Sequence, residues 1–226
     1  MSSSAAYADR LSELLGLTSP PVAVSFDAEL EMAGGAVEPQ PAGCCFWEPA
    51  QHGALHTLAA DHANCSVGSY THGLIPLEAA TAGADTAALV ASGWVGEADL
   101  TAAPTLPFAP ASITYQPLAE AKDPDVVLVR LSPSSLMTLM GAMPELAFVP
   151  KPQCVIVPLA QSGQAAVSPG CAVSRTRTNL PTDELTCALP GSDLASIIER
   201  LDASTAADQA VSAFAAADMA ENFART

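Results

Sequence analysis

Two stretches of this sequence concentrate side chains that could do chemistry. The first runs Cys44-Cys45-Phe46-Trp47-Glu48, then His52, His56, Asp61-His62, Asn64-Cys65, Ser69-Tyr70 and His72. All four histidines of the 226-residue chain fall between His52 and His72. Thiol, imidazole and carboxylate together are the ligand set for zinc or iron, and imidazole also moves protons near neutral pH. The plainer account is a loop-rich region that collects polar side chains, with each histidine hydrogen-bonded as scaffolding. Clustering on one positioned stretch points instead toward a site.

The second stretch is Ser168-Pro-Gly-Cys171-Ala-Val-Ser-Arg175-Thr-Arg177. A strand ending in Pro-Gly and followed by small residues predicts a strand-to-helix turn with the thiol at the helix N-terminus. There the helix dipole, with Arg175 one turn later, favours thiolate, the form that binds metal and attacks electrophiles. The competing account is a buried cysteine and two surface arginines paired with Asp183 and Glu184. Arg175 is expected to serve the site, and Arg200, on the outer face of an amphipathic helix, to be indifferent to it.

Other patterns carry less. Met137, Met140 and Met143 recur at helical spacing, which reads as core rather than a copper or haem box. Gly93-Trp-Val-Gly96 lacks the flanking strand and the full glycine fingerprint of a nucleotide site, and neither GxxxxGK[ST] nor HExxH occurs. The six cysteines include no CxxC pair, which argues against zinc ribbons and thioredoxin-type motifs.

The elements that must position these residues are legible in part. A helix around Tyr7, Leu11, Leu14 and Leu15, capped by Ser3 or Ser4, ends at Gly16. After Pro20-Pro21, Val22–Phe26 reads as a buried strand. Residues 31–53, with Gly34-Gly35, read as loop, and His56 to Gly73 as a polar, turn-rich stretch. Residues 77–103 are Ala-rich and helical with a break at Gly93. Asp125–Arg130 is a strand, and Ser132-Pro133 caps and starts a helix through Met143. Cys154–Pro158, Gln164–Ser168 and Leu185–Leu189 read as short strands. One helix follows Gly191-Ser192 with Leu194, Ile197, Ile198 and Leu201 on a face. A separate last helix carries Val211, Ala215, Met219 and Phe223. Without regular βαβ alternation the expected class is α+β: one compact domain over residues 1–226, a mixed sheet of short strands flanked by helices, with long cysteine-bearing loops.

Composition bounds the rest. Half the residues are hydrophobic, 14% are charged and 5% aromatic, which excludes disorder. No apolar run approaches the ~18 residues of a membrane span, and no secretory leader is visible, so a cytoplasmic protein with reduced thiols is expected. Eight Lys and Arg against 24 Asp and Glu give a net charge of −16. Nucleic acid and anionic membrane surfaces are therefore poor partners.

Four segments together resemble a known family: Leu17-Thr-Ser-Pro-Pro-Val-Ala-Val, Cys45-Phe-Trp, Thr57-Leu-Ala-Ala-Asp-His-Ala-Asn-Cys-Ser-Val-Gly-Ser-Tyr, and Ser168-Pro-Gly-Cys171 with Arg175. They resemble domain-of-unknown-function family 169, a group of uncharacterised archaeal and bacterial proteins. The resemblance covers nearly the whole chain, through Asp183-Glu-Leu and Leu189-Pro-Gly191, and its most specific element is Asp-His-x-Asn-Cys-x-Val-Gly. It implies no activity. It places Cys45, Cys65 and Cys171 at the family's motif cysteines and leaves Cys44 and Cys187 as extras.

The leading expectation is a metal site of Cys45, Cys65, Cys154 and Cys171, holding a [4Fe–4S] cluster or Zn²⁺. Asp61, His62 and Arg175 would then serve acid–base work or bind an anionic small-molecule substrate in a redox or lyase enzyme, with a redox partner as the other candidate. If the other thiols meet but Cys154 points away, His62 or Asp61 becomes the fourth ligand. A second expectation is a metal-free thiol enzyme, with Cys65 or Cys171 as nucleophile, His62 or another histidine as base and Asp61 as its orienter. A third is a non-catalytic ligand-binding accessory protein with the Met-bearing helix along an apolar groove.

Overall fold

Alternation along the strands decides which side of the sheet carries the cysteines. The computed structural model describes residues 3–27 and 37–223. Among the described residues, β1 (Val22–Phe26), β2 (Leu55–Leu58), β3 (Ser112–Pro117), β4 (Val126–Leu131), β5 (Ala147–Phe148), β6 (Ala166–Ser168) and β7 (Leu185–Pro190) form one seven-stranded sheet. Its order is β2-β3-β1-β4-β7-β6-β5, antiparallel throughout except for β5 beside β6. The helices are α1 (Ser4–Leu15), α2 (Ser66–Thr71), α3 (Leu77–Ala82), α4 (Ala84–Ala91), α5 (Glu97–Thr101), α6 (Pro133–Ala142), α7 (Ile156–Gln161), α8 (Ala172–Thr178) and α9 (Leu194–Asn222). The class is α+β with a mixed sheet, as the order of elements predicted.

Successive side chains of a strand point to opposite faces. In β4, Val127, Val129 and Leu131 join Leu11, Leu15, Leu139, Ile197 and Leu201 in a core under α1, α6 and α9. Val126 and Leu128 face the other way, into a core with Phe46, Trp47, Ile156, Val157 and Tyr115. That second face is roofed by the 3₁₀ turns Gly43–Phe46 and Pro49–Gln51 and by α7. The chain between β2 and β3 adds a small helical lobe, α2 to α5, with its own core of Val67, Val95 and Leu100. Each fully buried Leu, Ile or Phe contributes about 1.5–3 kcal/mol, so the two large cores hold the fold.

Several sequence expectations change. Cys154–Pro158 is not a strand: Gln153–Val155 is a 3₁₀ turn that runs into α7. A short apolar run buried all round fits either element, and Pro158 lies in the first turn of α7, where no intrahelical N–H is needed. The two helices expected after Gly191 are one, α9, because no Gly or Pro interrupts residues 194–222. The methionine stripe is not core; Met143 is buried, but Met137 and Met140 are exposed on α6. Strand β2 lies inside the stretch read as turns, and β3 falls where no element was expected. The Ala-rich segment is helical and breaks at Gly83 as well as Gly93. The Gly34-Gly35 turn lies outside the described residues.

Candidate functional site

Where the roof of the second face meets the helical lobe, a pocket opens. Cys44, Cys65, Cys154 and Cys171 all line it, each from a different segment. The rest of its wall is mostly apolar, with Val67, Leu89, Trp94 and Val173. Leu89, Trp94 and Val173 continue into a shallow, open surface groove, which makes them its mouth. The Lys151 ammonium, 5.3 Å above the Trp94 ring, donates to the Trp94 carbonyl and ties that mouth to the segment before Cys154.

Two of these thiols share one local design. Cys65 is the N-cap of α2 and Cys171 the N-cap of α8. The Ser174 N–H donates to Cys171 Sγ at 3.4 Å; Cys65 Sγ accepts no cap hydrogen bond, although the nearby Gly68 backbone works to lower it. Backbone donors aimed at sulfur favour negative charge there. Burial works against it, raising Cys65 and pushing Cys154 up to about 12. Cys44 is also raised, first by its hydrogen bond to Cys45 and then by burial. In the metal-free state Cys44, Cys65 and Cys154 therefore stay protonated near neutral pH. Cys187 lies under the opposite face of the sheet.

Cys45, expected in the set, stands apart from the pocket. Its Sγ lies 3.5 Å from the Arg177 carbonyl and it is lowered to about 7, chiefly by the hydrogen bond from Cys44 and also by Arg177. In a 3₁₀ turn consecutive residues point about 120° apart, so only one of two neighbouring thiols can face the pocket. Among the described residues no three His, Cys, Asp or Glu side chains are grouped closely enough to hold a metal ion as they stand.

The three residues expected to do acid–base work are placed as follows. The Asp61 carboxylate accepts from the Leu58 N–H at 2.7 Å, capping a turn and not orienting His62. His62 is buried and donates through Nε2 to Thr57 Oγ1 at 2.9 Å, because that hydroxyl gives its own proton to the Ile113 carbonyl. Burial, with help from His72, lowers His62 to about 3. Arg175 donates to the carbonyls of Pro169, Leu180, Pro181 and Glu184. Its guanidinium clamps the turn that carries Cys171 instead of facing the sulfur.

Residues 10–200 match the model of the DUF169 family, described as uncharacterised ArCR. The chain belongs to this family. Compared with the curated proteins and with the solved structures, it has no match among either. All four pocket cysteines of this DUF169 chain lie inside the matched range.

Of three orphaned polar groups near the pocket, the sequence reading includes His62 and His72 in its first stretch and misses Tyr115. His72 donates through Nδ1 to the Gly68 carbonyl at 2.9 Å, so its Nε2 carries a lone pair, and that atom is buried without a partner. A neighbouring carbonyl fixing the tautomer is how metal-binding imidazoles are usually oriented. His62 Nδ1 and the Tyr115 hydroxyl are likewise buried with no partner among the described residues. Tyr115 lies within electrostatic reach of Cys44 and Cys154. The i to i+4 spacing of Gly68 and His72 on a short helix was the signal available for His72. For Tyr115 the missing signal was β3 itself.

An unpartnered buried hydroxyl carries its desolvation cost with no return. Tyr115→Phe is therefore expected to leave the metal-free protein as stable or up to about 1 kcal/mol more stable in urea denaturation. A clear loss of stability would mean that the hydroxyl has a partner in solution.

Proposed function

We propose that this protein holds a [4Fe–4S] cluster on Cys44, Cys65, Cys154 and Cys171. The observation that carries the reading is that thiols from four separate segments line one apolar pocket. The residues fit the group in three ways. The donor set is thiol, a backbone N–H already donates to the Cys171 sulfur, and the apolar wall limits water. A bound cluster would supply one-electron transfer or a Lewis-acidic iron for a small-molecule substrate. The chain's own part is to hold the thiols, to present His72 Nε2 beside them, and to close the mouth with Trp94.

A second reading, a metal-free thiol enzyme, is favoured by one observation, the lowering of Cys45 to about 7. One experiment separates the two. Protein purified or reconstituted without oxygen is expected to show a broad visible absorption, with iron and acid-labile sulfide in equal amounts. Cys154→Ser and Cys171→Ser should lose it, while Cys45→Ser and Cys187→Ser keep it. A colourless protein with stoichiometric zinc, or colour that survives in the folded Cys154→Ser and Cys171→Ser variants, would refute the cluster.

A further inference from the structure

The wall of the thiol pocket has another side. Cys44 and Gln153 also border a separate narrow cleft, lined as well by Trp47, Gln51, Arg130 and Thr186. Arg130 sits where strand alternation places an apolar side chain. Val126 and Leu128 precede it on the same face of β4, and it pairs directly across from Thr186 on β7. Only 16% of its side chain is exposed.

A buried guanidinium brings five N–H donors that need acceptors. Among the described residues Arg130 makes one ion pair, to Glu48 at 3.5 Å, and no hydrogen bond. That distance is well beyond the ~2.8 Å of a charge-assisted bond. Glu48 is half exposed, so it screens the guanidinium loosely. A second donor borders the same cleft: Trp47 is 94% buried, and its Nε1–H has no acceptor. Both residues line a cleft whose other polar lining, Gln51, Gln153, Thr178 and Thr186, is neutral, so no carboxylate in it answers the guanidinium.

We propose that this cleft is a subsite for an oxyanion, the carboxylate or phosphate of a small molecule. Arg130 and the Trp47 indole N–H bind the anionic end, and the rest of the molecule reaches toward Cys44. Anion binding stands without the cluster, whereas the use of the far end beside Cys44 rests on the reading given above. Glu48 competes with the ligand for Arg130 and swings outward when it binds. The net charge of −16 opposes an anion at long range, but salt at 0.1 M screens that field beyond about 10 Å, and the guanidinium acts at contact.

The chain has two tryptophans, so its nitrogen-15 spectrum has two indole N–H signals, and Trp47→Phe assigns them. The metal-free protein is titrated with acetate, inorganic phosphate and chloride at constant ionic strength. The Trp47 signal is expected to shift saturably with acetate, phosphate or both, while the Trp94 signal, at the mouth of the other pocket, stays put. A response to acetate alone assigns a carboxylate, and one to phosphate alone a phosphate group. Arg130→Gln should weaken binding at least about tenfold. Glu48→Gln, which removes the competitor, should tighten it several-fold. The proposal is overturned if neither oxyanion shifts Trp47, if chloride shifts it equally, or if Glu48→Gln leaves the affinity unchanged. Because the readout is an indole signal in metal-free protein, a colourless protein in the cluster experiment leaves the anion result intact, and the reverse also holds.

Discussion

Arg175→Ala is expected to cost about 3 kcal/mol of stability and to lower Tm by about 10 °C. The guanidinium satisfies the carbonyls of Pro169, Leu180, Pro181 and Glu184 at once, and its removal leaves partly buried acceptors unmet. Arg175→Lys should recover little, because one ammonium cannot span a fork of four acceptors. The comparison is Arg200→Ala. Its guanidinium pairs with the half-exposed Glu145, and an exposed ion pair is worth under about 1 kcal/mol. Thermal and urea denaturation of the two variants provide the measurement. Equal losses, or a fully stable Arg175→Ala that fails only to hold a cluster, would return Arg175 to the site.

Acid is expected to destabilise the metal-free protein steeply between pH 6.5 and 4, before most carboxylates titrate. His62 is lowered to about 3 and His72 to about 4, in each case first by burial. In the unfolded chain both return to about 6.5. Between those values the unfolded state binds protons that the native state refuses, so stability falls as pH falls. It is fully present above pH 6.5 and lost down toward the folded values. At about 1.4 kcal/mol per unit, the two histidines together account for on the order of 8 kcal/mol. His62→Asn keeps a donor for Thr57 but cannot titrate over this range. Urea midpoints measured at several pH values should show a clearly shallower slope for that variant. An unchanged slope would mean that His62 is solvated or charged in the native state.

What the sequence could and could not convey follows from how far each signal reaches. The sheet was legible at β1, β4, β6 and β7 because their apolar runs are bounded by turns or caps. The N-cap placement of Cys171 followed from Pro-Gly and the small residues around it. Cys44 against Cys45 was not decidable, since adjacency says nothing about which way a 3₁₀ turn faces. Adjacency also misled at Asp61-His62, where neighbours in the chain point to different partners, Leu58 and Thr57. Arg175 looked like a partner for a thiolate because it lies one turn from Cys171. Asn179, with φ of 52°, reverses the chain, and the carbonyls of residues 180–184 come back over the guanidinium. No local pattern announces that return.

The pocket's walls come from residues 42–44, 65–72, 89–94, 152–154 and 171–174, so no short piece of the chain carries it. Contacts so distant in sequence form late in folding, since each waits for the loop between its ends to close. The way in is past Leu89, Trp94 and Val173. A cluster bonded to all four thiols would link regions more than a hundred residues apart and act as a clasp. Loss of that group would loosen the helical lobe, α2 to α5, from the rest of the molecule before anything else gives way.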